Sequence, residues 1–134
     1  MKVNIITAQE QSKQGYTNVT LTPDGLKGIP DSACNELMVD NVLEFAPENV
    51  GEARVKKVRK GGVMEIRSPD AQGVMRQYQL GSVSFEEASI LLAGGRARIS
   101  TLDQTRSFLE SNGLHVEFAG LNGAYYRITA KRPQ

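Results

Sequence analysis

This chain has one cysteine, Cys34, and one histidine, His115. The lone cysteine excludes an intrachain disulfide and a cysteine-based zinc site, and the lone histidine excludes a multi-histidine metal centre. No stretch approaches the ~18 consecutive apolar residues of a membrane span. The amino terminus has no basic region followed by an apolar run, so no secretion signal is expected. Charge of one sign is not in excess either: 16 basic residues face 15 acidic ones, a formal net charge of +1. That balance argues against a general attraction to nucleic acid or anionic membrane. There is no internal repeat, low-complexity segment, P-loop or Ser-His-Asp arrangement. The expected setting is a reducing, cytoplasmic compartment, without metal and without membrane.

What is present is one domain's worth of sequence, 134 residues of which 40% are hydrophobic, and a single domain over 1–134 is expected. A chain of this size buries roughly 68% of its unfolded surface. Val3 and Ile5 alternate with Lys2 and Asn4, which predicts a strand over 2–7. Residues 8–16 read as a polar loop ending in Gly15, and Asn18–Leu21 as a second strand. Pro23, Gly25, Gly28, Pro30 and Asp31 mark a turn-rich stretch over 22–35. Residues 36–39 read as a third strand, apolar on both sides as in the middle of a parallel sheet. A helix is predicted from Pro47, with Val50, Ala53 and Val58 as its stripe, basic residues at its end and Gly61 as its stop. Strand 62–67 follows.

Asp70 is placed to cap a helix that buries Ala71, Val74, Met75 and Tyr78. Ser84 and Glu87 form a capping-box pattern ahead of Phe85, Ala88, Leu91 and Leu92, with Gly94-Gly95 as the stop. A last helix is predicted over 101–112, capped by Ser100, stopped by Gly113, with Leu102, Phe108 and Leu109 facing inward. Two alternating segments, 114–119 and 124–131, flank Asn122-Gly123, a strong hairpin signal. The first has Val116 and Phe118 on one side; the second has Tyr126, Ile128 and Ala130 on one side. Strands with helical crossovers followed by a hairpin make an α/β domain with a mostly parallel sheet and a reversed strand at one edge.

In order and spacing, Asn4-Ile5, Gly15-Tyr16-Thr17-Asn18-Val19, Ile29-Pro30-Asp31-Ser32, Asn41-Val42-Leu43-Glu44-Phe45, Val58-Arg59-Lys60-Gly61-Gly62 and Ile66 to Asp70 resemble the class I S-adenosylmethionine-dependent methyltransferases. So do Leu109-Glu110, Asn112-Gly113-Leu114 and Ile128 to Pro133. The resemblance covers nearly the whole chain and implies a small Rossmann-like methyltransferase fold. It also implies where cofactor contacts belong. In the family, glycines in the first turn let the backbone approach the methionine part of the cofactor, and an acid after the second strand holds the ribose hydroxyls, much as in dinucleotide-binding turns. Here Ile6 and Ala8 stand at the glycine positions and Thr20 at the acid, and Phe45 replaces a histidine. A β-branched residue strongly disfavours positive φ. A threonine hydroxyl replaces two charge-assisted bonds with one weaker one, a loss of about two to three decades in affinity.

Other residues carry weaker signals. Asp40, Asn41 and Glu44 follow the third strand at its carboxyl end, where open sheets place ligands; they also suit turn and local pairing roles. Asp70 suits a helix cap better than an acid or base. The basic residues at 56–60 could meet phosphate, but helix-end electrostatics accounts for them and no aromatic residues are interleaved. Arg96 and Arg98 carry a similar weak case. His115, without a nucleophile in reach, and Cys34, without a basic neighbour, are not read as catalytic.

About ten residues separate the first two strands, too few for a crossover helix, so the fold is expected to be truncated, with one sheet face thinly covered. An exposed apolar face of that kind marks an interface, and a dimer is expected. Two functions stay open. One is a non-catalytic module with a degraded cofactor site, no cofactor, and a protein partner. The other is a minimal enzyme that transfers a methyl group from S-adenosylmethionine.

Overall fold

Alternation along the strands decides which face of the sheet is dry. The computed structural model describes residues 1–6, 11–20, 27–40, 50–94 and 99–134. Its strands are β1 (Lys2–Ile6), β2 (Thr17–Thr20), β3 (Cys34–Asp40), β4 (Val58–Pro69), β5 (His115–Asn122) and β6 (Tyr125–Lys131). Its helices among the described residues are α1 (Val50–Lys57), α2 (Ala71–Gln79), α3 (Phe85–Ala93) and α4 (Leu102–Ser111). The strands form one sheet in the order β2-β1-β3-β4-β6-β5. The first four run parallel, and β6 is antiparallel to both β4 and β5. This is the mostly parallel α/β sheet ending in an antiparallel hairpin that the sequence predicts, except that the reversed strand, β6, lies one in from the edge and β5 takes the edge.

Register aligns the apolar positions into rows. Val3, Leu37, Met64 and Ala130 are successive partners across β1, β3, β4 and β6, and Ile5, Val39, Ile66 and Ile128 form the next row. All eight are buried, and they share one core with Val55 of α1 and Leu109 of α4. Burying a valine, leucine, isoleucine or methionine side chain is worth about 1.5–3 kcal/mol. Tyr126, Ile128 and Ala130 all face this core, as their alternation predicts.

Several local expectations differ from the structure. Helix α1 ends at Lys57, and the chain then turns directly into β4. Gly61, at φ +78°, is an irregularity inside that strand and not a helix stop. The register jumps there from Cys34↔Val58 to Glu36↔Val63. The tail takes up the freed backbone groups: Gly61 N donates to Arg132 O and Arg132 N to Gly62 O. Cys34, read as a turn residue, begins β3 and is fully buried. In β5 a bulge skips Glu117, so Val116 and Ala119 face the core while Phe118 turns to the other side. Val50, Ala53 and Gly95 lie outside the residues whose side chains are described.

The helix caps follow the sequence closely. Ser84 and Glu87 exchange bonds across the start of α3, and Thr101 and Gln104 do the same at α4. Thr101, not Ser100, is the α4 cap; the Ser100 hydroxyl lies 3.0 Å from that of Tyr126. The faces of α2 and α3 are less well anticipated. Met75, Tyr78 and Phe85, expected inside, are exposed, because these two helices pack on each other beside the sheet more than on the core.

Candidate functional site

The carboxyl ends of β1, β2 and β3 meet at one edge of the sheet, where the candidate positions were expected. Ile6 is the last residue of β1 and pairs in register with Thr20, the last of β2. The strand does not turn at Ile6: the only non-glycine residue at positive φ among the described residues is Ser32. The Ile6 side chain lies on the face opposite Val3 and Ile5 and is 2% exposed. Thr20 is exposed. Asp40 ends β3 and pairs with Arg67 of β4 at 3.1 Å, both side chains about half exposed. An exposed pair of this kind contributes roughly 0–1 kcal/mol. The structure therefore gathers Ile6, Thr20 and Asp40 along one strand-end edge. Ala8, Asn41, Glu44 and Phe45 lie outside the described residues, as do Arg96 and Arg98.

Among the described residues, the sheet face opposite the core carries several charges, with Met38 and Val63 half-buried between them. Across it Lys2 reaches Glu36 at 3.8 Å and Arg127 reaches Glu65 at 3.4 Å. The guanidinium of Arg67 sits 4.2 Å from the Tyr125 ring centroid and that of Arg127 sits 5.0 Å from Phe118.

Near β1 that face is covered by the short segment 11–16, held by a constellation the sequence reading missed. Asn4, buried on this side, donates to Gln11 O and to Asn18 Oδ1, each at 3.0 Å. Asn18 also accepts from Lys13 N. The Tyr16 hydroxyl donates to Glu36 Oε2 at 2.7 Å, and Lys13 lies over its ring. That bond to Glu36, reinforced by partial burial and by the negative charge of Glu36, pushes the Tyr16 pKa up to about 12. An asparagine inside a strand, disfavoured by propensity, is the signal that could have disclosed Asn4 and Asn18.

After β4 the chemistry is structural. Asp70 Oδ2 accepts from Gly73 N at 2.6 Å and Oδ1 from Leu102 N at 2.7 Å, so one buried carboxylate starts both α2 and α4. The Thr105 and Tyr126 hydroxyls lie 2.8 Å apart beneath it. The basic run divides between elements. Lys57 closes α1 and pairs with Asp31 at 2.9 Å, lowering the Asp31 pKa through that hydrogen bond and the lysine charge; Arg59 and Lys60 lie exposed on β4. His115 opens β5 at the surface. Burial raises the Cys34 pKa. Among the described residues no three metal-binding side chains cluster, and no helix is long and apolar enough to cross a membrane.

In sequence, no family model and no curated protein matches this chain. Its backbone is similar to solved methyltransferases. A SAM-dependent methyltransferase from Archaeoglobus fulgidus superposes with a TM-score of 0.64 at 12% identity, over 97% of this chain and 75% of that one. An S-adenosylmethionine-dependent methyltransferase from Mesorhizobium loti gives 0.65 at 10% identity, over 97% and 89%. An O-methyltransferase family protein from Burkholderia thailandensis gives 0.64 at 11%, over 98% of this chain and 43% of that one. At these identities the likeness is one of fold, and the fold is that of a small Rossmann-like methyltransferase.

Proposed function

We propose that this chain is a methyltransferase-like module with a degraded S-adenosylmethionine site, and that it acts by protein association and not by methyl transfer. One observation carries the reading. β1 continues as regular strand through Ile6, paired with Thr20 and with its side chain buried, at the position where the resemblance calls for a glycine turn. A cofactor approaching that point would meet a β-branched side chain in place of bare backbone. Thr20 offers a hydroxyl where the ribose needs a carboxylate, and the Asp40 carboxylate nearby is engaged by Arg67. The residues described do not suit the cofactor, so no reaction step is derived through it. The charges described on the sheet face opposite the core support the association half of the reading, since their alternating signs suit a polar protein surface better than a hydrophobic ligand.

Isothermal titration with S-adenosylmethionine and S-adenosylhomocysteine tests the proposal. The expected result is no saturable binding up to about 1 mM. Micromolar binding of either compound would overturn it.

A further inference from the structure

At the amino end of β3, opposite the strand-end edge, lies a polar cavity of about 270 Å³ lined by Asp31, Ser32, Val55, Lys56, Asn112 and Arg132. The loop before β3, the last turn of α1, the end of α4 and the tail after β6 each supply part of its wall. The tail is fixed in place there. Arg132 Nη1 donates to Val58 O at 2.7 Å and to Ser32 Oγ at 3.2 Å, and the Arg132 backbone bonds to Gly61 and Gly62. Those side-chain bonds use one nitrogen of the guanidinium fork, so Nε and Nη2 keep their donors among the described residues. Ser32 is held at φ +61°, a conformation that persists in a residue with a Cβ only where its surroundings over-determine it. Here Ser32 N donates to Lys56 O at 2.9 Å, and its hydroxyl meets Arg132.

The charges on this wall do not cancel. Asp31, the acid on it, is held by Lys57 Nζ at 2.9 Å. Lys56 and Arg132 are in no ion pair among the described residues. Two positive charges are left over, with the Ser32 hydroxyl and the Asn112 amide beside them as neutral hydrogen-bonding groups. A phosphate monoester carries about −1.5 to −2 at pH 7 and three strong acceptor oxygens, which matches that set better than the single charge and two oxygens of a carboxylate. Helices α1 and α4 both end here, and a helix carboxyl end repels anions. Their last carbonyls are already taken, however: Lys56 O by Ser32 N, Phe108 O by Asn112 Nδ2 and Leu109 O by Leu114 N. The volume lies just under the ~300 Å³ at which small-molecule pockets begin, so the ligand is small. The geometry points to the cavity between Ser32, Lys56, Asn112 and Arg132 as a binding site for a small phosphate monoester. This site goes beyond the association reading and does not depend on it.

Amide chemical-shift titration of the full chain tests it, with glycerol phosphate, inorganic phosphate and acetate as probes at constant ionic strength. The expected result is saturable shifts at Ser32, Lys56, Asn112 and Arg132, with a Kd of about 1 mM or below for glycerol phosphate. Acetate is expected to give no saturation over the same range. Lys56→Gln removes an exposed side chain that makes no hydrogen bond among the described residues. It is expected to leave the thermal melt unchanged and to weaken binding about tenfold, through loss of a charge-assisted bond. Lys60→Gln, which removes an equally exposed cation that does not line the cavity, is expected to change binding by less than about twofold. Shifts that do not saturate, or acetate bound as tightly as glycerol phosphate, overturn the inference. So does a Lys60→Gln loss equal to that of Lys56→Gln, which would mark an adventitious ion only. S-adenosylhomocysteine carries no phosphate, so its titration decides the cofactor reading separately from this one.

Discussion

Asn4 donates from Nδ2 to Asn18 Oδ1 at 3.0 Å, across positions paired in the β1–β2 register. The two amides do work that a crossover helix does in a larger sheet. Asn4 also holds Gln11 O, and Asn18 also holds the backbone of Lys13 and Tyr16. Segment 11–16 is thereby drawn over the sheet with polar bonds in place of an apolar helix face. Asn4 is thereby kept dry on that side of β1.

Asn18→Ala should therefore unfasten the segment. It removes four hydrogen bonds and leaves part of the Asn4 amide unsatisfied in a buried place, a cost of about 2–3 kcal/mol. Urea denaturation should show a lower midpoint with an unchanged slope. Amide exchange should quicken first at residues 13–16. An unchanged midpoint would mean that the segment is held by something other than these amides.

The Tyr16–Glu36 bond makes stability fall at high pH. The folded pKa is about 12, above the usual value near 10 for a tyrosine in an unfolded chain. Between those values the unfolded chain has released the proton and the folded chain still holds it, so each rise in pH favours unfolding. The contribution is complete below about pH 10 and is lost as pH climbs through 12. Tyr16→Phe should flatten that part of the stability–pH curve. Ultraviolet titration should show one fewer late-forming tyrosinate in the variant than in the parent chain.

How much of this could be read in the sequence depended on whether the deciding contact was local. The Ser84–Glu87 box, the Asp70 cap and the hairpin after Asn122 are set within a few residues, and all stand where the pattern puts them. The fate of Gly61 was decided by Arg132, 71 positions along the chain, and no local signal carries that. Met75 and Phe85 have helical spacing, but spacing defines a stripe without saying what lies against it, and here no sheet does. At the candidate site, residue type alone singled out Ile6, and the structure adds that its side chain is buried at the end of β1. The Asn4–Asn18 clasp was not, because it needs the parallel register of two strands.

Asp70 should be among the least replaceable polar residues. Its two oxygens accept from Gly73 N and Leu102 N, 32 residues away from Asp70, so one side chain both caps α2 and anchors the start of α4. Bonds from a charged acceptor contribute about 1.5–3 kcal/mol each. Asp70→Ala should cost about 3–5 kcal/mol. Asp70→Asn, which keeps one acceptor oxygen, should cost about half as much. If Asn and Ala prove equally costly in chemical denaturation, the carboxylate is not serving the two amides independently.

Ile6 is where stability and any ligand site compete. Ile6→Gly deletes a buried side chain and frees the backbone at a paired strand position, a loss of about 3–5 kcal/mol. Ile6→Val should cost only about 1 kcal/mol, because it removes one methylene and keeps the branched shape. Neither variant should bind S-adenosylhomocysteine, since the Thr20 hydroxyl still stands where a carboxylate is wanted. The triple change Ile6→Gly, Ala8→Gly, Thr20→Asp restores both requirements. Where circular dichroism shows that it folds, calorimetry should detect binding that the single variants lack. A folded triple variant that binds nothing would place the cause of the loss outside these three residues.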